Sequence, residues 1–196
     1  MKRFSAVLTL LLLCGVAWAF PRLSVGEMFT ASWCGPCNDA HSYLVSHRSS
    51  WEDVAAVLRF HVSDELEISG TSSREIYYGT FYEMGYVPHM FIDGDDYTSD
   101  YTTWISAMNA HASVESYVGI EIYDQTFDSI WVRVFLEESG HDGEYRIMAV
   151  LTVDGLSALG HEYNWVVQRI YTNPRGTRFD LAYGDTAEFS WALDID

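Results

Sequence analysis

The sequence predicts an α/β half followed by an all-β half, and three observations carry that expectation. Between Leu23 and Ala112, apolar strand segments alternate with stretches whose apolar residues recur at helical spacing. From Tyr117 onward the period becomes two, the signature of strands with one buried face. The only cysteines beyond residue 19, Cys34 and Cys37, share one motif, Trp33-Cys34-Gly35-Pro36-Cys37, where a strand candidate meets a helix candidate. The division implied is an export signal over residues 1–19, an α/β domain over 20–114 and a β-sandwich-like domain over 115–196.

The first segment sets the expected compartment. Lys2 and Arg3 form a basic start, Phe4 to Val16 is apolar, and Ala17-Trp18-Ala19 supplies the small residues that suit cleavage before Phe20. The apolar run is short for a membrane span, and no later segment is long and apolar enough to cross a bilayer. Cys14 follows Leu13, a poor fit to a lipidation signal. Export to the periplasm or the exterior is expected, with outer-membrane association an open alternative.

Charge narrows the partners. The chain of 196 residues carries a formal charge of −17, which deepens to −19 without Lys2 and Arg3. Its nine remaining basic residues are all arginines. Such a surface repels nucleic acid and anionic lipid, and no basic patch is legible in the sequence. With 48% hydrophobic residues the chain can bury a core, so disorder is not expected.

In order, Leu23 to Thr30 reads as a strand, and Asn38 to His47 as a helix with Ala40, Tyr43, Leu44 and His47 at helical spacing. Val54 to Val62 reads as a buried strand. Ser73 to Glu83 reads as a helix capped by Ser72 or Ser73. Gly85 to Ile92 is the next strand, turned back by Asp93-Gly94 as a hairpin. Thr102 to Ala112 is a helix burying Trp104, Ile105 and Met108. Val118, Ile120 and Ile122 then alternate, as do Ile130, Val132, Val134 and Leu136. His141-Asp142-Gly143 reads as a hairpin tip joining Trp131–Glu137 to Tyr145–Val153. Tyr163 to Tyr171 and Thr186 to Leu193 are further strands, and Leu156 to Gly160 could form one helical turn. The chain stops at Asp196 inside what reads as a strand, which leaves the expected sandwich incomplete.

The cysteine motif carries the chemistry. Two thiols two residues apart can cycle between dithiol and disulfide, and only a thiolate attacks a disulfide. Cys34, at a helix N-terminus, meets unpaired N–H groups and a positive dipole end that favour its thiolate. Cys37, one turn on, would resolve the mixed disulfide. Gly35 and Pro36 keep the loop tight, and Pro36 is tolerated in a first helical turn. Trp33 offers a flat apolar surface to a partner.

Phe29-Thr30-Ala31-Ser32 followed by this motif, with Val87-Pro88 some fifty residues on, resembles the thioredoxin superfamily over roughly residues 23–113. The whole chain is similar to thioredoxin-fold, outer-membrane-related envelope proteins of bacteria, and Tyr163 to Arg169 resembles their tail motif more loosely. The resemblance turns the first half into an expected thioredoxin-like α/β domain. It implies a cis Pro88 facing the cysteine pair, with Cys34 and Cys37 as the redox residues. Trp33, Gly35, Pro36, Val87 and Pro88 would support them or contact substrate. The implied activity is thiol–disulfide exchange with protein thiols or disulfides and an envelope redox partner, requiring no metal or other cofactor. One departure concerns proton transfer. Met28 stands where the family carries a buried aspartate, and Glu27 points to the other face unless a bulge turns it in.

The sequence admits other readings. The cysteines could be half of a zinc site with His41 or His89, although no second Cys-x-x-Cys exists. They could form a permanent structural disulfide in a non-catalytic envelope or surface binding protein. His89 could act as a neighbouring cation or be structural. Asp93, Asp95, Asp96 and Asp100 form an acidic loop that reads as a solvated turn rather than a calcium site. Met84, Met90 and Met108 read as core. Trp131, Trp165 and Trp191 read as sandwich core, and His111, His141 and His161 show no catalytic spacing.

Overall fold

The computed structural model describes residues 20–193; the expected export signal over 1–19 lies outside the described residues, as do the last three residues. Along the chain run β1 (Ser24–Thr30), α1 (Gly35–Ser46), β2 (Ala55–His61), α2 (Thr71–Gly79), β3 (His89–Ile92), β4 (Asp95–Asp96) and α3 (Tyr101–Ala112). Nine strands follow: β5 (Val118–Gln125), β6 (Ser129–Leu136), β7 (Gly143–Ile147), β8 (Val150–Val153), β9 (Leu156–Ala158), β10 (His161–Tyr163), β11 (Val166–Ile170), β12 (Thr177–Leu181) and β13 (Thr186–Ala192).

The main sheet has six strands in the order β4-β3-β1-β2-β11-β8. β1 runs parallel to β2 and antiparallel to β3, and both registers are unbroken. Alternation along β1 builds two cores. Met28 faces a cluster with Ala40 and Leu44 of α1 and Trp104 and Met108 of α3, while Phe29 faces Phe60, Phe91 and Tyr78 of α2. The first cluster seats α1 and α3 on one face; the second seats α2 on the other and includes both cysteines.

The structure departs from the expected fold class. Among the described residues strand accounts for 40% and helix for 21%, and the mixed sheet does not stop where the α/β domain was expected to end. β11 and β8 extend it: Trp165 O accepts from Arg59 N at 2.9 Å, and β11 pairs antiparallel with β8. The pattern is therefore not a thioredoxin-like α/β domain followed by an all-β sandwich. The physical reason lies in Val166 and Val167, which are both fully buried and so belong to a strand covered on both faces. A period-two pattern identifies a strand without saying which sheet completes it.

The remaining strands form a three-stranded sheet, β13-β6-β5, and two pairs, β12-β7 and β10-β9. Val132, Val134 and Leu136 of the three-stranded sheet pack on Ile147 and Leu181 of the β7–β12 pair. The expected hairpin across His141-Asp142-Gly143 does not form: β6 pairs with β5 and β13, whereas β7 pairs with β12. Tyr145–Val153 divides into two strands, and Leu156–Gly160 makes a β-hairpin with β10 rather than a helical turn. Trp165 joins the cluster of α1 and α3 instead of a sandwich core. Helix α2 begins at Thr71, two residues before the expected start, after Gly70 rather than a serine cap. The strand expected from Gly85 is confined to His89–Ile92, while its hairpin with β4 forms as expected.

Candidate functional site

Cys34 caps helix α1 with extended backbone, φ −93° and ψ 109°, and its Sγ accepts from Cys37 N–H at 3.2 Å. A cap residue whose side chain takes an unpaired amide of the first turn is the geometry that a serine or aspartate usually supplies; here sulfur supplies it. Cys34 and Cys37 form a disulfide with 5.2 Å between their Cα atoms. Pro36 sits in the first helical turn, where no N–H is required of it.

The expected supporting residues are brought together in part. Trp33 is 58% exposed and its indole N–H donates to Ser63 O at 3.0 Å. Gly35 and Pro36 are exposed beside it, Cys34 is 6% exposed and Cys37 fully buried. The Val87–Pro88 peptide is cis, and Val87 O lies 3.5 Å from Cys34 Sγ across 53 residues of sequence. Pro88 is buried and Val87 half-buried.

Glu27 does not reach the cysteines. β1 has no bulge, and both Glu27 oxygens are taken on the α2 side by Arg74 at 2.5 and 2.6 Å, with the Tyr78 hydroxyl donating at 2.7 Å. His41 and His89, weighed as zinc ligands, lie on different elements. His41 Nδ1 sits 2.8 Å from Arg59 Nη1, and His89 Nε2 sits 2.8 Å from Asp96. The acidic loop is more structural than a solvated turn: Asp93 binds Arg22, Val25 N–H and His111, and Asp100 caps α3.

On the α1 side of the sheet the motif is flanked by a buried polar cluster that the sequence reading passed over. Arg59 is fully buried in β2; besides His41 it touches Thr30 Oγ1 at 3.5 Å and lies 4.9 Å from the Tyr163 ring centre. Burial pulls its guanidinium down to about 10, against Tyr163 and Asp64. Burial, with the Arg59 charge second, brings His41 to about 4, so its imidazole is neutral and can accept from Arg59. His61 is lowered by burial against the pull of Asp64. Burial also works against the Asp64 charge. Donors from His61, Ser32 N–H and Leu66 N–H outweigh it and hold the carboxyl below its usual range. Arg59 Nε and His61 Nε2 find no hydrogen-bond partner among the described residues.

Asn38 and Tyr163 complete this cluster. The Tyr163 hydroxyl donates to Asn38 Oδ1 at 2.8 Å and lies 3.5 Å from Ser32 O. A signal for part of it was present: Arg59 and His61 stand inside an otherwise apolar strand, and polar residues there need partners. Tyr163 opens the Tyr163–Arg169 stretch singled out in the sequence, but nothing local ties it to the cysteine motif, which it reaches from 125 residues away.

No protein-family model matches the sequence, and a comparison with curated proteins gives no match. The fold is similar to the crystal structure of a protein from Agrobacterium tumefaciens, with a TM-score of 0.63 over 90% of this chain and 82% of that one. The two sequences are 13% identical, so the likeness carries the fold alone. Among the described residues, no helix is long and apolar enough to cross a membrane.

Proposed function

We propose that this chain is an exported thiol–disulfide exchange protein whose working pair is Cys34 and Cys37. The observation that carries the reading is the disulfide closed across a helix N-terminus, with Cys34 Sγ facing the Val87 carbonyl beside exposed Trp33. The resemblance of the motif and of Val87-Pro88 to the thioredoxin superfamily supports it.

In the reduced protein, the Cys37 N–H and the dipole of α1 favour the Cys34 thiolate. That thiolate attacks one sulfur of a partner disulfide; the partner's other sulfur leaves as thiolate and takes a proton from solvent. Cys37 then loses its proton and attacks Cys34 Sγ, releasing the partner's second thiolate. Two electrons have moved to the partner, and the Cys34–Cys37 bond has formed. The same steps run backward when the oxidised pair meets a partner dithiol, and they balance with no further reagent. Val87, whose carbonyl points at Cys34, offers an extended partner chain a backbone acceptor beside the reacting sulfur.

A second reading, a structural disulfide in a binding protein, draws on the burial of both sulfurs. One experiment separates the two. The protein from Phe20 is equilibrated in graded glutathione buffers and its free thiols are counted by mass spectrometry. The exchange reading expects a titration between about −270 and −120 mV. It also expects a Cys37→Ser variant to trap a mixed disulfide on Cys34, and Cys34→Ser to abolish exchange. A pair that stays oxidised throughout, or exchange that survives in Cys34→Ser, overturns it.

A further inference from the structure

We propose that Tyr163, from the C-terminal part of the chain, is a positioning residue for the cysteine pair, its hydroxyl holding the exit of the Cys34–Cys37 loop at Asn38 beside the loop's entrance at Ser32. This inference rests on the exchange reading above.

Tyr163 ends β10 and is fully buried. Its hydroxyl donates to the side chain of Asn38, the residue after Cys37, at 2.8 Å. The same oxygen lies 3.5 Å from the carbonyl of Ser32, two residues before Cys34. Ser32 is held from its other side as well: Asp64 Oδ2 accepts its N–H at 2.6 Å, and its hydroxyl donates to Glu65 at 3.3 Å. The loop is thus fixed at its entrance by Asp64 and Glu65, and its entrance and exit meet at Tyr163.

The ring of Tyr163 is fixed in turn. It packs on the Arg59 guanidinium of β2 and meets the imidazoles of His61 on β2 at 5.1 Å and His41 on α1 at 5.6 Å. His161, on the same strand as Tyr163, lies 6.4 Å from its ring. Burial raises the phenol pKa, so the hydroxyl keeps its proton and remains a donor to Asn38. A tyrosine held this firmly by its ring places its oxygen at one point, and that point is shared by both ends of the loop.

The consequence falls on the dithiol form. In the disulfide form, the covalent bond already holds the loop closed. In the dithiol form, only noncovalent contacts keep the two sulfurs within reach, and the effective concentration of one thiol at the other depends on them. Removing the clasp therefore makes ring closure less favourable while leaving the surroundings of Cys34 Sγ, beside the Val87 carbonyl, as they were.

The test is the glutathione equilibrium of the whole chain from Phe20, comparing wild type with Tyr163→Phe, which keeps the ring over Arg59. The equilibrium constant for closing the disulfide is expected to fall by about three- to tenfold, the span of one buried hydrogen bond. That places the potential up to about 30 mV toward the oxidising side. Trapping of a partner on Cys34 in the Cys37→Ser background is expected to keep its rate. Asn38→Ala, at a partly exposed position, should move the constant the same way and serves if Tyr163→Phe does not fold. The double variant should add little to either single change. A merely structural tyrosine would lower the unfolding midpoint without moving the potential. A folded Tyr163→Phe or Asn38→Ala with the wild-type constant overturns the positioning role and leaves the exchange reading standing. A wild-type pair that never titrates overturns both.

Discussion

Arg74 on α2 closes on both oxygens of Glu27 on β1, 47 residues away in sequence, with its Nε at 2.6 Å and its Nη2 at 2.5 Å. Tyr78 donates to the same carboxylate at 2.7 Å and stacks on Phe91 at 3.8 Å between ring centres. Burial works against the Arg74 charge, but Glu27 more than offsets it and holds the guanidinium above its usual range. The carboxylate that could have served the cysteines is thus committed to fastening α2 to the sheet.

Breaking this pair from one side should be costly, because a buried carboxylate remains. Arg74→Met is expected to lower unfolding stability by about 3–5 kcal/mol, and the joint change with Glu27→Leu to restore much of it. Urea unfolding of the two variants checks this. A loss below about 1 kcal/mol for Arg74→Met would mean that water, not Arg74, solvates Glu27.

Acid should weaken the fold in two overlapping steps. His41 titrates near 4 in the folded protein and His61 is also lowered, so the unfolded chain takes up these protons first as pH falls through about 6.5. Their contribution is complete above that pH and declines toward pH 4. Asp64 has a lowered folded pKa, so its contribution persists through that range and is lost below about 4. Urea midpoints at about pH 7.5, 5.5 and 4.5, one point above and two below the unfolded histidine value of about 6.5, should fall in that order, with His41→Asn flattening the slope. A midpoint that stays level over this range would contradict the buried, neutral imidazoles.

Reduction of Cys34–Cys37 should cost little stability, because three positions separate the cysteines and the loop closed is short. Loop-closure entropy for so short a ring gives about 2 kcal/mol. Thermal unfolding with and without dithiothreitol reads this directly. Collapse of the fold on reduction would contradict it and would favour the structural reading.

Gly119 on β5 marks a close approach. A Cβ there would stand 2.5 Å from the Phe135 ring on β6, its cross-strand partner. Gly119→Ala is expected to cost about 1–3 kcal/mol by overpacking, and Phe135→Leu in the same chain to recover part of it. Additive losses in the double variant would place the strain elsewhere.

Local chemistry made much of the first half legible. The strand before the motif, the helix after it, the hairpin at Asp93-Gly94 and the helix over Tyr101–Ala112 follow from apolar spacing and turn residues. The second half yielded strands but not their partners. His141-Asp142-Gly143 looked like a hairpin tip because both neighbours alternate, yet β6 and β7 enter different sheets. Alternation reports that a face is buried and is silent about what buries it.

The sequence by itself determined that Cys34 and Cys37 would meet. Two residues of spacing at a helix start put the two side chains within reach of one another, and Trp33, Gly35 and Pro36 follow them by covalent neighbourhood. Tertiary structure alone decided what surrounds that pair. It directed Glu27 to Arg74, buried Arg59 and His61 beneath α1, and carried Tyr163 across 125 residues to Asn38. The reason is the range of the forces. Spacing and capping act within a few residues and are written in order along the chain. Burial and charge pairing act between whatever surfaces the folded sheet brings into contact.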